Sequence, residues 1–237
     1  CSTDNTVEII QKYILRHPSI ITFYKNEKPL KTIKNFEKAI SLTTGDYIFL
    51  CDQDDVWKPE KVQKMIVNMK ENPKALLLFT NGDLIDERSL NLKSTLWARW
   101  NFNISERNRW STNVNAFQNL IFGKNYVTGA TALLRRKLLK TTLPIEVPSN
   151  YYHDAWFALH AAAHNGLYFM DQCLIDYRIH KDQQVGVKSG GKNTSVMVDK
   201  KNISFEMFRK INHHKYPLIV FKIAYLQYLS KLKRKFL

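Results

Sequence analysis

No run of about 18 uncharged apolar residues occurs in the 237-residue chain, so no segment reads as a membrane-spanning helix. The first residues also lack a secretory leader pattern. Cysteine is scarce, and Cys1, Cys51 and Cys173 show neither CxxC nor Cys/His metal spacing, which argues against a cysteine-built metal site and makes a reducing cytosol the simplest setting. Neither GxxxxGKS/T nor GxGxxG is present. That removes a Walker-type phosphate loop and leaves a dinucleotide site without support. Acidic side chains are in deficit, 21 against 36 Lys and Arg, for a formal net charge of +15. Such a balance invites phosphate-bearing partners: nucleotides, nucleic acid or an anionic membrane surface. Because Lys and Arg are not interleaved with aromatics in an RNA-binding pattern, a basic nucleic-acid-binding protein rests on net charge only.

What is present describes a folded α/β chain. Hydrophobic residues reach 44%, enough at this length for a sizeable core. The chain begins at Cys1 and its opening "STDNTVEII" reads as a helix cap, so a preceding segment is expected; Ser2, Thr3 or Asp4 would cap a helix running to about Arg16. Residues 19–25, "SIITFYK", suggest a short strand, and residues 32–42 carry Ile33, Phe36 and Ile40 at helical spacing. Residues 47–51 form an apolar run suited to a buried strand, Pro59 fits a first helical turn, and Val62, Ile66 and Met69 continue that helix. Further strands are expected at 75–80, 128–136 and 173–180, with helices at 113–123 and 153–166. The alternation predicts a mostly parallel sheet with helices on both faces. Residues 187–201 read as a polar loop around Gly190 and Gly191. Residues 202–237 mix Phe, Ile, Leu and Tyr with Lys and Arg, which suits either a terminal helix packed on the domain or an interfacial helix on anionic lipid.

In "GDYIFLCDQDDVWKPEKV" the apolar strand ends in Asp52, Asp54 and Asp55. Ligands in open α/β sheets bind beyond the carboxyl ends of strands, and a cation that also holds phosphates needs only one or two protein carboxylates. Rival readings exist. An EF-hand fails because Val56, Trp57 and Gln63 would occupy its fifth, sixth and twelfth positions. A haloacid-dehalogenase-type phosphatase would use Asp52 as nucleophile and Asp54 as acid/base, but its motif lies on a first strand. Simple capping of the helix near Lys58 requires one aspartate rather than three.

Taken in order, "STDNT", "KNFEKAI", "GDYIFLCDQDDVW", "VTGATALLRR", "HDAWFAL" and "YRIH" resemble the family 2 glycosyltransferases of GT-A fold, especially bacterial rhamnosyltransferase-like members. The resemblance covers residues 1–186 and lies in order and spacing more than in any one motif. It implies an α/β GT-A catalytic domain over 1–186, whose first strand, first helix and second strand would precede Cys1. It implies an inverting transfer of a sugar from a nucleotide-diphosphate donor to a hydroxyl of a glycan or lipid-linked glycan, in bacterial surface polysaccharide synthesis. A divalent cation, Mn or Mg, would be required, and the protein would be cytoplasmic or peripheral on the inner face of the membrane, with no nucleic acid partner.

Residue by residue, the resemblance puts Asp54 and His180 at the metal, Asp52, Asp55, Asp4 and Arg178 at the donor, and Asp154 as catalytic base. Trp57 and the loop Thr128, Gly129 and Ala130 fall near the acceptor. Read from the residues alone, Asp154 is equally an N-cap, Arg178 and His180 equally paired strand residues, and Trp57 equally core. Two departures stand out: Lys31 occupies a position where relatives usually have glycine, and Asp182 and Gln183 replace a common asparagine pair.

Overall fold

Asp4 lies one residue before Asn5, which stands at the N-cap of the first helix without a side-chain capping bond. In this computed structural model, which describes residues 1–121, 124–147 and 151–180, the Asp4 carboxylate accepts the Thr6 N–H at 3.1 Å and also the Thr6 hydroxyl. These bonds favour the ionised form and hold its pKa below the usual value. Helix α1, Thr6–Arg16, follows, and α2 spans Lys31–Ser41. Together they lie within a first unit, Cys1–Leu42. Lys31 has φ of 58°, a left-handed backbone that costs a non-glycine residue about 1 kcal/mol. This is the position at which the resemblance anticipates glycine. Residues 19–25 do not form the expected strand; they make a turn and irregular backbone, because without a ladder partner an isolated apolar run has no strand to join.

The second unit begins at Thr43 and holds a six-stranded sheet: β1 Tyr47–Phe49, β2 Val56–Trp57, β3 Leu77–Ile85, β4 Asn91–Thr95, β5 Ala132–Arg135 and β6 Leu167–Arg178. Their order is β1-β5-β3-β6-β2, with β4 pairing off β3. The α/β class stands, but the mostly parallel sheet does not. Only β3 and β6 run parallel, and the remaining pairings are antiparallel. One cause is local. β4 returns from β3 through a tight turn at residues 86–90, where the Asp86 side chain accepts the N–H groups of Arg88 and Leu90, and short returns favour antiparallel pairing.

Alternation along β3 separates two cores. Leu78 packs with Met65, Met69, Leu133 and Leu174 under α3, Lys61–Glu71. Phe79 faces the other way, its ring 6.0 Å from Trp97, 6.1 Å from Phe102 and 5.9 Å from Phe169. That second face is covered by α4 Leu96–Arg99, α5 Ile104–Trp110 and α6 Asn113–Ile121, and α6 packs on α8, His153–Ala163. Between β5 and α8, α7 spans Leu139–Thr142.

Both long strands outrun their expected bounds. β3 continues through Thr80, Asn81, Gly82 and Asp83 because register shifts against β6 absorb the polar run. The Asn81 side chain accepts the N–H of Gly82 at 2.9 Å and of Trp97 at 3.1 Å, while a Cβ on Gly82 would stand 2.8 Å from Ile175 Cγ2. The polar loop 187–201 and the basic tail 202–237 lie outside the described residues. No helix among those residues is long and apolar enough to cross a membrane.

Candidate active site

The strand order places β1 and β2 at opposite edges of the sheet, yet the Phe49 and Trp57 rings are 5.5 Å apart. The sheet therefore curls, and residues 50–55 join its two edges. This is the acidic loop. It is held at one end by Leu50, whose N–H bonds Ala132 O at 3.2 Å, and at the other by the pairing of β2 along the end of β6.

Where β6 ends, its last residues reach the loop. Arg178 donates its backbone N–H to Asp55 Oδ1 at 2.9 Å and its Nε to Asp54 O at 2.8 Å. Its Nη1 donates to Asp86 O at 2.9 Å and to Ser89 Oγ at 3.0 Å. The Arg178 guanidinium thus braces the acidic loop against the β3–β4 turn, and of the two readings open in the sequence, the paired residue describes it. His180 Nε2 lies 2.9 Å from Asp54 Oδ2, with both side chains about three-quarters covered.

Burial raises the pKa of two of the loop carboxylates, Asp52 and Asp55. Asp55 is pushed up to about 7, chiefly by burial and secondarily by Asp54 and Asp52, while the Arg178 N–H and Lys61 pull the other way; its Oδ2 is buried with no hydrogen-bond partner. Asp52 is raised by burial and by Asp54. Asp154 begins α8, where its carboxylate accepts the Ala155 N–H at 2.6 Å. A helix start favours the charged form of a carboxyl, but here burial outweighs it and the pKa rises to about 6, with Asp52 adding to the rise and the Gly129 backbone opposing it. Ionised Asp154 still predominates roughly ten to one at pH 7. Gly129 presses close to this point, since a Cβ there would meet His153 Nε2 at 3.1 Å.

Sequence reasoning missed two groups. The Tyr177 phenol is buried, and its pKa is pushed up by burial and then by Asp55, Asp52, Asp54 and Asp154 together. Lys61 is fully buried, its Nζ 2.6 Å from Ala130 O and 4.2 Å from the centre of the Trp57 ring. Trp57 therefore has one face occupied by an ammonium and lies against Phe49. A signal for Lys61 did exist: it heads the row Lys61, Met65, Met69, the buried stripe of α3, where four-residue spacing puts a lysine on an apolar face. Of the remaining residues in the acceptor loop, Ala130 is buried, and Thr128 O accepts both the N–H and the hydroxyl of Thr131. Asp4 lies in the first unit, engaged at the start of α1.

Among the described residues, no group of three or more His, Cys, Asp or Glu side chains is arranged to hold a metal ion. Asp54 with His180 offers one carboxylate and one imidazole, a set that suits a cation taking its other ligands from phosphate oxygens and water. A concavity of about 370 Å³ lies elsewhere, lined by Glu60, Lys64 and Met170 among others, and contains none of these carboxylates.

Residues 1–143 match the family model described as Glycosyl transferase family 2. Three curated relatives share local stretches with the chain. The uncharacterized glycosyltransferase MJ1057 of Methanocaldococcus jannaschii is 36% identical over 36% of this chain and 29% of its own length. The dTDP-rhamnosyl transferase RfbG of Shigella flexneri is 35% identical over 27% of this chain and 24% of its own. TuaG of Bacillus subtilis, a teichuronic acid biosynthesis glycosyltransferase by its provisional name, is 34% identical over 30% and 28%. The matched part thus spans under a third of each relative. The crystal structure of Staphylococcus aureus TarS residues 1–349 superposes with a TM-score of 0.52 at 17% identity, over 75% of this chain and 49% of that one, a likeness of fold.

Proposed function

Because the chain belongs to glycosyl transferase family 2, we propose that its acidic sheet end transfers a sugar from a nucleotide-diphosphate donor to a hydroxyl of a glycan or lipid-linked glycan acceptor. The observation that carries this reading is the field at Tyr177, where Asp52, Asp54, Asp55 and Asp154 act on one phenol. That common influence supports grouping the acidic loop and the start of α8 as one site.

In this reading Asp154 accepts the proton of the acceptor hydroxyl as the glycosidic carbon is attacked. Its raised pKa, about 6, keeps it basic enough to take the proton and still ionised at neutral pH. Asp52 and Asp55 orient the donor, and Thr128, Gly129 and Ala130 line the acceptor side. A divalent cation, Mn or Mg, held by Asp54 with His180 would offset the negative charge growing on the departing diphosphate. A single displacement inverts the anomeric centre. The rhamnosyl name of one relative supports a deoxyhexosyl donor, and the teichuronic acid biosynthesis name of another supports a role in polysaccharide assembly.

A panel of nucleotide sugars screened by thermal shift, with and without manganese or magnesium, tests this. A metal-dependent rise in Tm with one donor is expected; no response to any donor under either metal would count against the reading.

A further inference from the structure

Lys61 is a charge where the fold has no structural need of one. It stands in a methionine row, is 0% exposed, and burying an ammonium costs several kcal/mol unless it is paired and hydrogen-bonded. An apolar residue of the same length would continue the stripe of Met65 and Met69. Three contacts offset the burial, and all belong to the site. Nζ donates to Ala130 O at 2.6 Å. It lies over the Trp57 ring at 4.2 Å, and the loop carboxylates Asp55 and Asp52 supply the nearby negative field.

Ala130 and Gly129 share one tight turn, Gly129–Thr131. Gly129 packs closely on the start of α8: a Cβ there would lie 3.1 Å from His153 Nε2 and 3.7 Å from Asp154 Cβ. A continuous path therefore runs from the acidic loop through Trp57 and the Lys61 ammonium to the Ala130 carbonyl, and through one peptide to Asp154.

We propose that Lys61 is a positioning residue for the transfer: its ammonium, held between the Trp57 ring and Ala130 O, keeps the 128–131 turn packed against Asp154. This rests on the glycosyl transfer reading above. Lys61 touches neither sugar nor acceptor and acts through Ala130. Without it the turn is released, and the polar Gly129 backbone that favours ionised Asp154 moves away from the carboxylate.

Lys61→Met keeps the length and the apolar row while removing charge and donor. Expected are a fall in kcat on the order of 10²-fold, as for a misplaced catalytic group, and an acid limb of the kcat profile that moves to higher pH. Donor affinity by calorimetry should change less than threefold. Unchanged kcat and an unmoved acid limb in a folded variant would overturn the proposal, as would a loss confined to donor affinity. Lys61→Gln retains an amide donor and serves if the methionine variant does not fold; failure of both to fold assigns Lys61 to stability alone and also overturns it. Wild-type protein that neither binds nor transfers any nucleotide sugar instead defeats the function reading, so the two failures are separable.

Discussion

Two regions of the second unit make opposite use of burial. On one face, Phe79 sits in a layer of rings with Trp97, Phe102 and Phe169, and Phe102 stacks on Tyr126 at 4.5 Å. Burial there removes apolar surface from water and stabilises the fold. At the carboxyl end of the sheet, burial instead raises Asp52, Asp55 and Asp154 above their ordinary pKa values, which opposes folding at neutral pH. Side chains in the first region contribute stability, and those in the second draw on it. Substitutions should therefore move stability and activity in opposite senses in the two regions.

The largest expected effect is Asp154→Asn, which should lower kcat by about 10³-fold or more, on the order of 4 kcal/mol of barrier, with donor binding retained. A variant that still glycosylates at near wild-type rate would remove Asp154 from the chemistry. Next, in the aromatic layer, Phe102→Ala should cost about 3–4 kcal/mol of stability in urea unfolding and leave the acidic site's donor specificity as it was. Asp54→Asn should weaken metal-dependent nucleotide-sugar binding on the order of 10²-fold; equal calorimetric affinity with and without the substitution would break the assignment.

Asp55→Asn is expected to stabilise. The folded-state carboxyl ionises near pH 7 against an ordinary 3.8, so the folded chain binds more protons across that interval and stability falls as pH rises through it. Above pH 7 the neutral amide escapes this penalty, and Tm at pH 8 should rise on the order of 5 °C, with little difference between variant and wild type at pH 4. The smallest effect is the wild-type pH profile itself. kcat should climb as Asp154 deprotonates, reaching half its plateau near pH 6; a flat profile from pH 5 to 8 would argue for another base.

How much of this was legible in the sequence follows the range of each interaction. Periodicity located α2, α3 and α8 and the short β1, because those patterns are local. The acidic loop was visible as charge after an apolar run, and Asp154 as the second residue of "HDAW". Strand direction was not visible, since pairing depends on which distant segments meet. β6 was foreseen only from residue 173 because Asp171 and Gln172 interrupt its apolar run, yet both lie on a strand tied to β3. Lys61 was masked by its own chemistry: a lysine in a charged helix start reads as solvated, against the one counter-signal of its place in the row with Met65 and Met69, and the contacts of its Nζ decide for burial.

The curl of the sheet makes the acidic loop its clasp. Mutual repulsion among Asp52, Asp54 and Asp55 acts on the segment that joins the two edges, so a proton or any positive ligand that quiets this repulsion also steadies that join. Heat resistance and occupancy of the site are then one measurement. A melting curve reads both.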